Sequence, residues 1–191
     1  MFSYNTLKKI LFKFEPETAH HLAEYGLIVL GKCSIMKNYM EKKNYIKNPK
    51  LTQEIFGVNF ANPVGLAAGF DKNATMIKAM KSLGFGFTEI GTMTPVPQDG
   101  NPKPRMFRYP EQKSVQNAMG FNNKGAHEVL KNLKKVYPFS IPVGANIGKN
   151  KFTPEEFALS DYKSLIKKFE ATSDYLVINI SSPNTPNLRD L

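Results

Sequence analysis

The chain has 191 residues, 41% of them apolar and 22% charged, which is the composition of a globular domain with a substantial core and not of a disordered chain. A single cysteine, Cys33, excludes an internal disulfide and a cysteine metal cluster, and with only His20, His21 and His127 a histidine metal site is not expected either. The net charge of +10 is local in origin, because residues 1–50 hold nine lysines against Glu15, Glu17, Glu24 and Glu41. That excess fits a solvated lysine face or an anionic membrane surface. No arginine precedes Arg105 and no aromatics alternate with arginine, so no nucleic-acid partner is expected.

Leu7, Ile10, Leu11 and Phe14 recur at helical spacing, with Lys8, Lys9 and Lys13 on other faces, so residues 4–14 read as a short basic amphipathic helix. Pro16 opens a second helix with a stripe of Ala19, Leu22, Ala23, Gly26, Leu27 and Leu30, widened by Tyr25, Ile28 and Val29. Its apolar run Leu27–Leu30 is far below the roughly 20 residues that cross a bilayer, so this pair can lie on a membrane or pack on the main domain but cannot span. The lysines and asparagines of residues 37–50 read as a linker. Residues 1–45 are therefore expected to form an amphipathic helical unit, and residues 46–191 a second unit. Neither a transit peptide nor a secretory signal is indicated, since early arginines and a small-residue cleavage site are both lacking.

From residue 51 strand and helix patterns alternate. Residues 56–60 suit a short hairpin, 63–68 a strand, 74–83 a helix and 87–93 a strand. The proline-rich stretch 95–109 reads as an excursion; 124–136 is helical, 142–147 a strand, 155–171 a helix and 175–180 the fourth strand. Right-handed crossovers turn such a repeat into an open doubly wound sheet or a (β/α)8 TIM barrel. Polar, ligand-ready groups follow every strand: Ala68-Gly69-Phe70-Asp71-Lys72, Gly91-Thr92, Asn146 to Asn150 and Asn179 to Asn187. One site drawing on all strands favours the α/β barrel. A whole barrel takes about 250 residues and eight strands, so the chain is expected to hold only the first four, and to be inactive alone because barrel phosphate sites usually follow strands 7 and 8.

Residues 65–69, Gly-Leu-Ala-Ala-Gly, fit neither the dinucleotide fingerprint nor a Walker loop. Small residues there either pack tightly or let a planar ligand approach the backbone, with Lys72 placed to neutralise an anion. Asn117-Ala118-Met119-Gly120-Phe121-Asn122-Asn123 sets amides around a glycine just before a helix, which suits a carboxylate or an imide-edged ring, and also suits capping by Asn122 or Asn123. Glu155, Glu156 and Asp161 read as helix-start carboxylates. Ser182 lies in no nucleophile elbow and has no nearby histidine in sequence; as a proton acceptor it would need help from water or from a hydroxyl such as Thr185. Of His20 and His21, at least one is expected at the surface.

The strings GLAAGFDK (65–72), EIGTMTPVPQDGNPKPRMFR (89–108), NAMGFNN (117–123), NIGKNK (146–151) and NISSPNTP (179–186) together resemble dihydroorotate dehydrogenases of the quinone-dependent, membrane-associated class. The resemblance covers essentially the whole chain. It implies an FMN enzyme of pyrimidine (UMP) biosynthesis that oxidises (S)-dihydroorotate to orotate and passes electrons to a membrane quinone. By the resemblance, Ser182 is the base for the C5 proton, assisted by Thr185 and Phe121; the soluble relatives carry cysteine at the serine position. It further implies orotate contacts at Lys72, Asn117, Ala118, Met119, Gly120, Phe121, Asn179 and Asn184. The flavin contacts implied are Ala68, Gly69, Phe70, Asp71, Lys72, Thr92, Asn146 and Asn179, and His20 and Arg108 would line the quinone channel. Ala118 stands where some relatives have arginine, so no side-chain role is implied for it. The expected location is the cytoplasmic face of a bacterial inner membrane, held peripherally through an anionic surface. Two other readings are a different FMN barrel oxidoreductase and a membrane-surface binding module without activity.

Overall fold

The computed structural model describes residues 4–184 and Leu188. It opens with three helices, α1 (Tyr4–Leu11), α2 (Pro16–Lys32) and α3 (Ser34–Asn44). Glu15 caps α2 by accepting the Thr18 N–H at 3.0 Å, and Pro16 occupies the first turn, where its missing N–H costs nothing. The face of α2 turned to the domain is Ala19, Ala23, Leu27 and Leu30; Leu22 and Gly26 of the expected stripe point outward. Helix α3 corrects the linker reading of residues 37–50. Its inward positions are Lys37, Met40, Glu41 and Asn44, a face too polar to register as amphipathic. It is anchored by polar contacts instead: Glu41 pairs with Lys81 at 2.8 Å, and Asn44 Nδ2 donates to the Ser82 carbonyl at 2.9 Å.

A hairpin follows, β1 (Gln53–Ile55) and β2 (Val58–Phe60), joined by Phe56 and Gly57. Both turn residues have positive φ, 53° and 73°, the backbone that a two-residue hairpin loop requires. Then come β3 (Gly65–Asp71), α4 (Ile77–Met80), β4 (Phe87–Met93), β5 (Met106–Tyr109), β6 (Ser114–Asn117), α5 (Gly125–Lys134), β7 (Val143–Ile147), α6 (Ala158–Phe169) and β8 (Tyr175–Ile178). The expected excursion ends in a strand: β5 pairs antiparallel with β6 just beyond it, Met106 opposite Asn117 and Tyr109 opposite Ser114. The prolines before Met106 hid a short alternating run behind them.

The strands β3, β4, β7 and β8 form one parallel sheet in that spatial order. The order advances in one direction, without the reversal that defines a doubly wound sheet. One face packs under α5 and α6, where Ile90, Val129, Leu133, Val143, Ile147, Leu165 and Phe169 have no solvent exposure. The other face holds Gly65, Phe87, Glu89, Gly144 and Tyr175 in complementary sizes. The Tyr175 ring lies 2.3 Å from where a Cβ on Gly144 would stand, so only glycine admits it. The hairpin covers the amino end of this face, with Phe60 edge-on to Phe87 at 5.3 Å. What remains open is the carboxyl end of the strands.

Candidate functional site

At that end the four strands surround a cleft of about 610 Å³, a size that suits a small planar ligand together with a second small molecule. Its floor is a hydrogen-bond network from three strands. Thr92 Oγ1, at the end of β4, donates to Asn146 Oδ1 of β7 at 2.5 Å. Asn179 Nδ2, just past β8, donates to Thr92 Oγ1 at 2.9 Å and to Asn146 Oδ1 at 3.2 Å. The backbone of Asn179 is fixed too: its N–H donates to the Ile147 carbonyl at 2.9 Å, and the Tyr162 hydroxyl donates to its carbonyl at 2.8 Å. Such interlocked amides are pre-organised, so a ligand meets donors and acceptors already in place.

One wall is β3, where Ala67, Ala68 and Gly69 line the cleft. Gly69 has φ +102°, and a Cβ built there would meet nothing within 4 Å, so glycine keeps this wall flat and open. The opposite rim is the loop after β6. Asn101 Nδ2 donates to the Ala118 carbonyl at 2.9 Å, Gln98 Nε2 to the Gly120 carbonyl at 3.0 Å, and Asn123 Nδ2 to the Phe121 carbonyl at 2.7 Å. Three side-chain amides therefore hold residues 118–121 in a backbone that includes positive φ at Gly120 and Phe121. Asn117, Met119, Gly120 and Phe121 face the cleft. Asn123 is buried, and its Oδ1 accepts the Gly125 N–H at 2.8 Å, so this amide serves the start of α5.

Ser182 lines the cleft beside Asn179 and Asn184. Its Oγ accepts the Asn184 N–H at 3.2 Å, which fixes the side chain on the cleft side. Asn184 is tied across the opening, with Nδ2 donating to the Asn117 carbonyl at 3.4 Å and its own carbonyl accepting from Asn101 Nδ2 at 3.3 Å. Thr185 lies outside the described residues.

Lys72 enters the cleft from the end of β3. Burial pushes its ammonium below the ordinary lysine value; Glu24 and Glu17 oppose that, and Arg105 adds to it. Asp71 behaves differently from its neighbours in the string 68–72. Fully buried, its carboxylate accepts the Thr75 and Met76 N–H groups at 2.9 Å each and does not line the cleft. Burial holds its pKa above the usual carboxylate range despite those bonds. The side chain braces the turn into α4, so it is not placed to touch a ligand in the cleft.

His20, on α2, also lines the cleft and packs edge-on to Phe70 at 5.0 Å; burial, then the Lys72 charge, lowers its pKa. His21 is exposed and meets Glu24 at 3.4 Å. Arg108 is elsewhere: its Nη1 donates to the Phe14 carbonyl at 2.9 Å and its guanidinium sits 4.7 Å over the Phe12 ring, where α1 turns into α2. Among the described residues no group of histidine, cysteine and carboxylate side chains could hold a metal ion, and no helix is long and apolar enough to cross a membrane.

Several residues that shape the site carried no sequence signal. Arg105 and Glu17, 88 positions apart, form a buried pair with N···O distances of 2.7 and 3.1 Å, and the guanidinium also donates to the Asp99 and Asn101 carbonyls. Glu24 accepts the Thr75 hydroxyl at 2.7 Å across 51 positions. Alone in the sequence, both glutamates look like ordinary surface charges of a helix; their partners become visible only in three dimensions.

A family model described as "Dihydroorotate dehydrogenase" matches residues 50–191. The chain is 59% identical over 188 residues to a protein named dihydroorotate dehydrogenase (quinone) from a Nitratiruptor species, covering 98% of this chain and 54% of that one. To the protein of the same name from Helicobacter acinonychis it is 47% identical, again over 98% of this chain and 54% of the relative. It thus spans about half the length of the curated relatives it matches. Among solved structures, DHODH from Eimeria tenella in complex with ferulenol superposes with a TM-score of 0.74 at 40% identity, over 90% of this chain and 46% of that one. At that identity the likeness establishes an α/β fold of the TIM-barrel type.

Proposed function

The chain belongs to the dihydroorotate dehydrogenase family, and from that premise we propose that it carries the substrate and flavin face of an enzyme oxidising (S)-dihydroorotate to orotate, in pyrimidine biosynthesis, with a membrane quinone as final acceptor. The observation that carries this reading is the convergence of Ser182, Lys72 and the Thr92–Asn146–Asn179 network on one cleft at the strand ends.

The residues present fit FMN. Gly69 leaves the β3 wall without a side chain over the cleft, and the amide-and-hydroxyl floor offers both donors and acceptors to an imide-bearing ring. Ala68, Gly69, Phe70, Lys72, Thr92, Asn146 and Asn179 are the residues that would hold it. When bound, FMN would supply the acceptor for the two electrons that leave the substrate as hydride from C6.

The chain's own residues account for the other half of the chemistry. Lys72 would pair with the carboxylate of dihydroorotate, while Asn117, Asn179 and Asn184 would hold the ring edges and the backbone of 118–120 would close over it. Ser182 Oγ would take the C5 proton. Its oxygen is oriented by the Asn184 N–H, which leaves lone-pair density for that proton. The Phe121 ring would shield the base from bulk water, and Thr185 would pass the proton on.

The helical unit, residues 1–45, would give the quinone access, with residues 46–191 as part of the barrel. Supporting this are the exposed Leu7, Ile10, Phe12 and Phe14 beside the N-terminal lysines, which suit peripheral contact with an anionic surface such as the cytoplasmic face of a bacterial inner membrane. His20 would lie where the quinone path meets the cleft. Arg108 would stand at its outer end, against the turn between α1 and α2.

The test is anaerobic mixing of the full-length, FMN-loaded protein with dihydroorotate. Bleaching of the flavin absorbance, with orotate formed in equal amount, is expected. Flavin that stays oxidised would refute the reading.

A further inference from the structure

Behind the cleft, between α2 and the end of β3, lies a second cavity of about 40 Å³, room for one water, lined by Glu17, His20, Glu24, Lys72 and Asn122 among others. Lys72 and His20 line both cavities, so the small one is the back of the site. Glu24 is held there from two sides: the Thr75 hydroxyl donates to Oε1 at 2.7 Å and His21 Nδ1 meets Oε2 at 3.4 Å. Among the described residues, Asn122 Oδ1 is buried with no hydrogen-bond partner, and Lys72 lines the same cavity. A carboxylate, an ammonium and an acceptor seeking a donor thus share one water-sized space.

We infer that Glu24 of α2 is a positioning residue for the anionic substrate, acting through Lys72 and fixed for that purpose by Thr75. The inference rests on the proposed reaction and deepens it, because it makes the helical unit part of the substrate site as well as of the quinone side. The physical need is plain. Lys72 must be an ammonium to pair with a carboxylate, yet burial works against its charge. Glu24 is the strongest influence in the other direction, followed by Glu17; Asp71 on its own strand helps less, Arg105 opposes, and His20 and His21 complete the set of groups facing it from α2. Glu24 itself stays ionised, since the Thr75 and His21 contacts hold its pKa below the usual range although burial works the other way.

Removing this charge has two opposite effects on an anion in the cleft. Lys72 loses its proton at lower pH, and a like-charge repulsion on the substrate disappears. The pH dependence of orotate binding therefore distinguishes this role from a structural one. The experiment follows orotate binding to the FMN-loaded full-length protein by flavin absorbance, over roughly pH 6 to 10, for the unsubstituted protein and for Glu24→Gln. The alkaline loss of affinity is expected to begin about one pH unit lower in the variant, with equal or tighter binding at the acid end, so that the two curves cross. Thr75→Val, which keeps shape and removes the hydroxyl that holds Glu24, should move the same limb in the same direction by less. An unmoved alkaline limb, or a uniform drop at every pH, would overturn the inference. Failure of the unsubstituted protein to bind orotate at any pH would instead remove the proposed reaction, and this inference with it.

Discussion

The sheet and the helical unit are built on opposite principles. Under α5 and α6 the sheet buries a continuous apolar layer with no exposure at Ile90, Leu133, Ile147, Leu165 or Phe169. Helices α1 to α3 bury far less: Ala19 and Leu30 are covered, and Leu27 and Ile28 lean on the small cluster of Met76, Met80 and Ile141. The unit is fastened instead by charges and hydrogen bonds, Glu17 to Arg105, Glu24 to Thr75, Glu41 to Lys81 and Arg108 to the Phe14 carbonyl. Apolar burial does not titrate and has no charge for salt to screen, whereas paired charges respond to both pH and ionic strength. The scaffold of the cleft should therefore be robust while the helices packed behind it remain adjustable.

Substitutions on each side can break that contrast. Phe169→Ala should cost the most, about 4 kcal/mol, and should lower the melting temperature of the sheet and of everything packed on it. Glu17→Ala should cost about 3 kcal/mol by leaving the Arg105 guanidinium buried with only carbonyl partners, and the loss should be confined to the helices. Hydrogen exchange checks this: amides of α2 should lose protection while those of β4 and β7 keep theirs. Equal loss in both would mean that the two regions fold as one.

Acid should act in the same unequal way. Arg105, then Lys103, hold the Glu17 carboxyl below the usual range although burial opposes them. A depressed folded pKa means that the contribution is complete above the unfolded value and is lost as the pH falls through the folded one. Protection of α2 should thus fade on acidification below about pH 4. Asp71 in the sheet region has the reverse sign, because its pKa is raised, so its titration does not add to acid loosening. The smallest effect belongs to Tyr175→Phe. Its hydroxyl meets Glu89 at 3.4 Å, a long bond, so about 0.5 kcal/mol or less should be lost in denaturant unfolding.

The same contrast explains what the sequence disclosed. Strands such as Phe87–Met93, found as expected, announce themselves because burial leaves a periodic apolar pattern and because polar groups follow each strand. The cleft was legible for that reason, from Gly69 and Lys72 to Asn146, Asn179 and Ser182. Helix α3 was not, since its inward face is Lys37, Met40, Glu41 and Asn44, and polar anchoring has no period to detect. Nor was Asp71 separable from its neighbours in GLAAGFDK, because a string shows that residues adjoin but not which of them turn inward. The pairing of Glu17 with Arg105 depends on two segments meeting, and no local pattern encodes it.

The proposed chemistry turns on the Ser182 hydroxyl, just beyond β8. Stopped-flow measurement of flavin reduction by dihydroorotate, comparing the FMN-loaded full-length protein with Ser182→Ala, tests it most directly. The variant is expected to keep its flavin and bind orotate, while reduction slows by about 10²- to 10⁴-fold, the contribution of a positioned base. A variant reduced at the unsubstituted rate would contradict it.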